Sequence, residues 1–149
     1  MNISLKSPQE IQKLKEAGQL AAEVLEIVSP FVKPGISTYE LDEICFKHIT
    51  ENQNAIPGNI GYNGYEKTTC ISVNQVICHG IPSKNKILKS GDIVNIDVTV
   101  LKDGWFGDTS KMFLVGKSKP HNEKLVKVTQ ECLYKACLLY TSPSPRDFT

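Results

Sequence analysis

Residues 93–115, IVNIDVTVLKDGWFGDTSKMFLV, decide the fold, because they read as two β-strands joined by a tight turn, with an acid on each strand. The first strand is expected from about Ile93 to Leu101. Its apolar residues Val94, Ile96, Val98 and Val100 alternate with Asn95, Asp97 and Thr99, and strand side chains point alternately to the two faces of a sheet. Asp103-Gly104 is the strongest kind of short hairpin signal, and the second strand is expected from about Phe106 to Val115. A two-residue loop there sets Lys102 opposite Trp105, Thr99 opposite Asp108 and Asp97 opposite Ser110. Asp97 and Asp108 then share a face as diagonal neighbours, near enough for their carboxylates to converge. Like charges so placed repel, and a shared proton or a cation must offset the repulsion. An odd loop centred on Asp103 would instead put the two acids on opposite faces. Asp103 reads as an ordinary turn residue. Asp97, in mid-strand between Ile96 and Val98 where acids are disfavoured, does not.

The chain has 149 residues, 40% of them hydrophobic, which points to one domain. A net charge of +1 with no block of like charge argues against a partner held by phosphate neutralisation, so no specific nucleic acid is expected. No apolar run approaches the ~18–20 residues that span a bilayer, and the N-terminus MNISLKSPQE lacks the apolar core of a signal peptide. No membrane association is expected, and the cytoplasm is the expected compartment. Five cysteines, an odd number with no C-x-x-C pair, argue against a disulfide framework or structural zinc, and most of them are expected to be small buried hydrophobes.

Outside the hairpin, Ser7-Pro8-Gln9-Glu10 reads as a capped helix start. Ile11, Leu14, Gly18, Ala21, Leu25 and Val28 follow at helical spacing up to Ser29-Pro30. Ser37 and Glu40 form a second capping box, with Leu41, Ile44, Cys45, His48 and Ile49 on one stripe; His48 reads as a helix-face residue rather than a ligand. Residues 52–65 are irregular and carry Tyr62 and Tyr65. A short strand over Lys67–Val73 contains Cys70, and a second extended piece, Val76–Cys78, leads into His79-Gly80-Ile81-Pro82. A third helix follows Pro120-His121-Asn122, with Leu125, Val128, Cys132, Leu133 and Ala136 as its apolar side. This order implies an α/β or α+β fold, an antiparallel hairpin sheet with helices packed on one face. From Leu138 to Thr149 the sequence, with Pro143 and Pro145, fits neither helix nor strand and is expected to be a disordered or foreign tail.

Two convergent carboxylates and a nearby histidine fit three chemistries: a divalent-metal site, glycoside hydrolysis by an acid pair, and an aspartic dyad sharing a proton. Spacing alone leaves all three open. His79 gains interest from Gly80 and Pro82, which fix its loop.

The segments GYNGYEKTTCISVNQVICHGIP (61–82) and KSGDIVNIDVTVLKDGWFGDTSKMFLVG (89–116), with the opening SPQEIQKLKEAGQLAAEVL, resemble a type I methionine aminopeptidase. The resemblance runs over roughly residues 3–136 and implies the N-terminal half of a "pita-bread" fold, with residues 3–137 forming that half and residues 138–149 outside it. It implies that Asp97 and Asp108 are ligands of two divalent metal ions (Mn, Co, Fe or Zn), that His79 contacts the substrate beside the scissile amide, and that Tyr62, Tyr65 and Cys70 line the methionine pocket. Asn59 departs from the mostly apolar residue expected beside that pocket. The implied activity is metal-assisted removal of the N-terminal Met of nascent polypeptides by a monomer, with ribosome association left open. A non-catalytic binding module on the same scaffold is the rival reading, and a proline-peptidase or creatinase-like relative is another. The family's remaining ligands, one histidine and two glutamates, have no counterpart here: His121, Glu123 and Glu131 sit in the wrong places. The 149-residue polypeptide is therefore expected to be inactive by itself.

Overall fold

The structure, a computed structural model, describes residues 4–140. It divides into two compact units, Met1–Lys117 and Ser118–Thr149.

In the first unit everything is arranged around one strand, β3 (Ile93–Lys102). Its whole length pairs with β4 (Trp105–Leu114) in the predicted register: Lys102 faces Trp105, Thr99 faces Asp108 and Asp97 faces Ser110. Asp103 (φ 50°) and Gly104 (φ 85°) both take positive φ, as a two-residue type I′ hairpin turn requires. The other edge of β3 is shared end to end by two short strands. β1 (Ile56–Pro57) pairs with Leu101 and Val100, and β2 (Thr69–Val73) pairs with Val98 through Val94.

The alternation along β3 separates the two faces as expected. Val94, Ile96, Val98 and Val100 are fully buried, whereas Asn95, Asp97 and Thr99 are half-buried on the other side. The buried face is covered by α1 (Pro8–Val28), through Ala17, Ala21, Val24, Leu25 and Val28. α2 (Thr38–Lys47) adds Leu41 and Cys45. Both helices start at the capping boxes read in the sequence. The Ser7 amide donates to Glu10 Oε2 at 2.7 Å and the Ser37 amide to Glu40 Oε2 at 2.8 Å, and each serine hydroxyl accepts from the glutamate amide. His48, in the π-helical turn that ends α2, places Nε2 3.3 Å from Glu23 Oε1 of α1, so it joins two helices.

One glycine and one buried acid set how the helices meet the sheet. A Cβ on Gly107 of β4 would stand 2.0 Å from the carbonyl oxygen of Ala17, so α1 lies directly on the strand backbone there. At the other edge of the sheet, the buried Asp42 of α2 accepts from the Thr69 amide (2.8 Å), the Thr69 hydroxyl (2.6 Å) and the Thr68 amide (3.4 Å), which ties α2 to the start of β2.

Three expectations need correction. Val76–Cys78 forms no strand: Asn74 takes φ 55°, its amide closes the ladder on the Ile93 carbonyl at 3.0 Å, and Ile77 is left 94% exposed. In the second unit, α3 (Pro120–Tyr140) runs three residues past Cys137, into the stretch expected to be a tail. The rest of the proposed tail, residues 141–149, lies outside the described residues. Leu125, Val128 and Leu133, read as part of the apolar side of α3, are exposed. Among the described residues no helix is long and apolar enough to cross a membrane.

Because the oxygen beside Gly107 belongs to helix backbone and cannot rotate away, Gly107→Ala must separate α1 from the sheet. We expect a loss of about 3 kcal/mol, read as a lower urea midpoint; an unchanged midpoint would show that the α1 contact is not close-packed in solution.

Candidate active site

The open face of the sheet forms a cleft of about 530 Å³. All six residues singled out in the sequence line it: Asp97 and Asp108 from the hairpin, Cys70 from β2, Tyr62 and Tyr65 from the loop between β1 and β2, and His79 from the loop after β2. Asn59, Asn63, Gly64, Ile81 and Thr99 complete the lining. Thr99 was legible beforehand, since alternation puts it on the face of Asp97. Ile81 and Asn63 carry no signal of their own and are brought in by their loops.

Asp97 and Asp108 lie close enough for their carboxyl groups to act on each other. Burial pushes the Asp97 carboxyl above the usual carboxylate range, the Asp108 carboxylate pushes it further, and His79 acts in the opposite direction. The register explains the encounter: the even loop sends both acids to the unburied face, one diagonal step apart.

His79 is held by its neighbour. The Gly80 carbonyl accepts from the Ile71 amide at 2.7 Å and the Gly80 amide donates to Ser72 Oγ at 3.1 Å, so Gly80 docks on the edge of β2 that β3 does not use. A Cβ there would stand 2.2 Å from the Ile71 carbonyl oxygen. His79 itself takes φ 54°, a left-handed conformation that costs a non-glycine residue on the order of 1 kcal/mol and is retained at sites where a side chain must be aimed.

The remaining wall is largely satisfied internally. The Tyr65 hydroxyl donates to the Thr69 carbonyl at 2.8 Å, and burial raises its pKa. Cys70 lies beside it, 8% exposed, with burial raising the thiol. Tyr62 is 73% exposed at the rim, on a short 3₁₀ turn. The role of Asp42 was not read from the sequence. It lies on α2, and only the packing of α2 against β2 shows that it anchors the strand carrying Cys70. Cysteine burial is also less general than expected: Cys45 and Cys70 are buried, while Cys78, Cys132 and Cys137 are exposed, and all five are free.

Among the described residues no group of three or more His, Cys, Asp or Glu side chains comes together as a metal cage. The acid pair still suits a cation: two neighbouring carboxylate groups in one cleft, with an imidazole near, carry excess negative charge that a divalent ion would neutralise.

Comparison with known proteins agrees with this geometry. Metallopeptidase family M24 matches residues 12–141, and the chain belongs to that family. It is 59% identical over 136 residues to the methionine aminopeptidase of Escherichia coli K12, covering 91% of this chain and 52% of that protein. It is 53% identical over 135 residues to that of Haemophilus influenzae, covering 90% of this chain and 50% of that one. The chain thus spans about half the length of the curated relatives it matches. The crystal structure of the Rickettsia prowazekii methionine aminopeptidase superposes with a TM-score of 0.87 at 45% identity, over 90% of this chain and 53% of that one. The fold is therefore the pita-bread fold of those enzymes. A Pyrococcus furiosus prolidase, at 20% identity and a TM-score of 0.68 over 85% of this chain and 36% of that one, shares the fold alone.

Cys45 provides a check on the packing. Burial pushes its thiol up to about 12, so it carries almost no reactive thiolate at pH 8, whereas Cys78 is exposed. Iodoacetamide on the folded chain should modify Cys78 and leave Cys45 until denaturant is added. Peptide mass spectrometry showing equal labelling of the two would contradict the fold around α2.

Proposed function

We propose that this chain contributes half of the active site of an aminopeptidase that removes methionine from the N-terminus of newly made proteins. The observation that carries the reading is the convergence of Asp97 and Asp108 in one cleft with His79 beside them; the likeness to proteins named methionine aminopeptidase supports the choice of substrate. Residues 3–137 are read as the N-terminal half of the catalytic domain, acting as part of a monomer in the cytoplasm.

Asp97 and Asp108 would hold two divalent cations, drawn from Mn, Co, Fe and Zn. When bound, such ions lower the pKa of water and polarise a scissile carbonyl. The chain's own residues do the rest. The carboxylates balance the added charge and, being fixed by the β3–β4 register, set where it sits. His79 offers an imidazole N–H to the reacting amide, a contribution of about 3 kcal/mol for a well-aimed donor. Tyr62, Tyr65 and Cys70 take the methionine side chain against an apolar wall and exclude water from it.

Two carboxylates are an incomplete coordination shell, so the 149-residue chain should bind Mn²⁺ weakly. Calorimetric titration with Mn²⁺ should show weak binding that Asp97→Asn/Asp108→Asn abolishes; binding that survives the double substitution would remove these acids from the metal site. In the same buffer, hydrolysis of a Met-Gly-x peptide should stay at background. Turnover that disappears in Asp97→Ala would show instead that this chain assembles a complete centre.

A further inference from the structure

The pocket wall contains one group that an apolar methionine side chain does not use. Asn59 follows the last residue of β1 by two positions. Gly58 continues the pairing of β1 with β3 through its amide on the Thr99 carbonyl at 2.8 Å, and Asn59 Nδ2 then donates to the Thr68 carbonyl at 3.0 Å. That bond bridges the two ends of the loop carrying Tyr62 and Tyr65. It also decides how the carboxamide is turned. A carbonyl oxygen accepts only, so Asn59 must offer its NH₂ to Thr68 and send Oδ1 the other way. Asn59 is half-buried and lines the cleft, and its Oδ1 accepts no hydrogen bond from any described residue.

The placement relative to the acids gives the length of ligand that would reach it. Asp97 pairs with Cys70 of β2, and Thr68, the anchor of Asn59, lies two residues before Cys70, just outside the strand. Two residues of chain span at most about 7 Å, within the reach of a linear side chain of four or five heavy atoms whose backbone is held at Asp97 and Asp108.

We infer that Asn59 makes the far wall of the pocket a hydrogen-bond acceptor, so that the site takes linear side chains ending in an N–H or O–H donor, glutamine among the common residues, alongside methionine. The inference rests on the proposed binding of an N-terminal residue in this cleft. The physical basis is the unpaired acceptor. An apolar terminus would desolvate Oδ1 without replacing its water, whereas a donor would replace that water with a direct bond.

The test uses two ligands of one shape, L-norleucine amide and L-5-hydroxynorvaline amide, which differ by a terminal methyl against a terminal hydroxyl. Their dissociation constants for the 149-residue chain are read from amide chemical-shift titrations. An apolar wall would favour the methyl ligand by about tenfold, because the hydroxyl is desolvated without a partner. With Asn59 as acceptor the hydroxyl ligand should bind as tightly or more tightly, and Asn59→Val should restore the preference for methyl. Asn59→Cys, which is smaller and keeps a weak donor for Thr68, serves the same purpose where the valine variant unfolds. A methyl preference in the unsubstituted chain overturns the role of Asn59 while leaving the pocket intact. Failure of both ligands to perturb Tyr65 and Cys70 overturns the pocket itself.

Discussion

The two-residue turn at Asp103-Gly104 is the constraint on which the site depends. Both turn residues must take positive φ, and asparagine, aspartate and glycine tolerate this best. The even count makes Thr99 face Asp108, and this sends both acids to the face that α1 and α2 leave uncovered. One residue more in the loop would move every side chain of β4 to the opposite face. Asp108 would then point at the helices and Gly107 would lose its place beneath Ala17. The same register therefore sets the cleft on one face and the helix packing on the other.

The scaffold secures this arrangement with contacts that leave little room for change. Gly107 lets α1 rest on strand backbone, Gly80 lets the His79 loop rest on the edge of β2, and Asp42 fixes where β2 begins. Each is remote from the acids or lies behind them, yet each places a wall of the cleft. In return the cleft holds features that do not stabilise the fold: a left-handed histidine and two neighbouring carboxylates. Local strain and like-charge proximity persist when the surrounding structure over-determines them, and they concentrate where binding is to occur.

Much of this was legible in the sequence, for reasons that can be named. Alternation along 93–101 identified the buried face, capping boxes at Ser7 and Ser37 marked two helix starts, and the Asp-Gly dipeptide specified the register. These signals are local, so a single sequence displays them. Val76–Cys78 was misread because its apolar residues resemble a strand; whether they extend depends on a partner edge, and Asn74 turns the chain before one is reached. The apolar side read along α3 shows the same limit: periodicity reports which residues could be buried, and it does not report against what. The exposure of Cys78, Cys132 and Cys137 follows from those two segments.

By itself the sequence determined the hairpin, its register, the common face of Asp97 and Asp108 and, through its resemblance, the family the chain belongs to. These follow from bonded neighbours and from periods of two or of 3.6 residues, which act over short range. Tertiary structure alone decided that the Tyr62–Tyr65 loop, Cys70 and His79 close around those acids, that Asp42 ties α2 to β2, and that the Asn59 amide finds the Thr68 carbonyl at the cleft wall. Those facts depend on groups distant in the chain meeting at hydrogen-bond distance, and no short-range pattern encodes which carbonyl a side-chain amide will find.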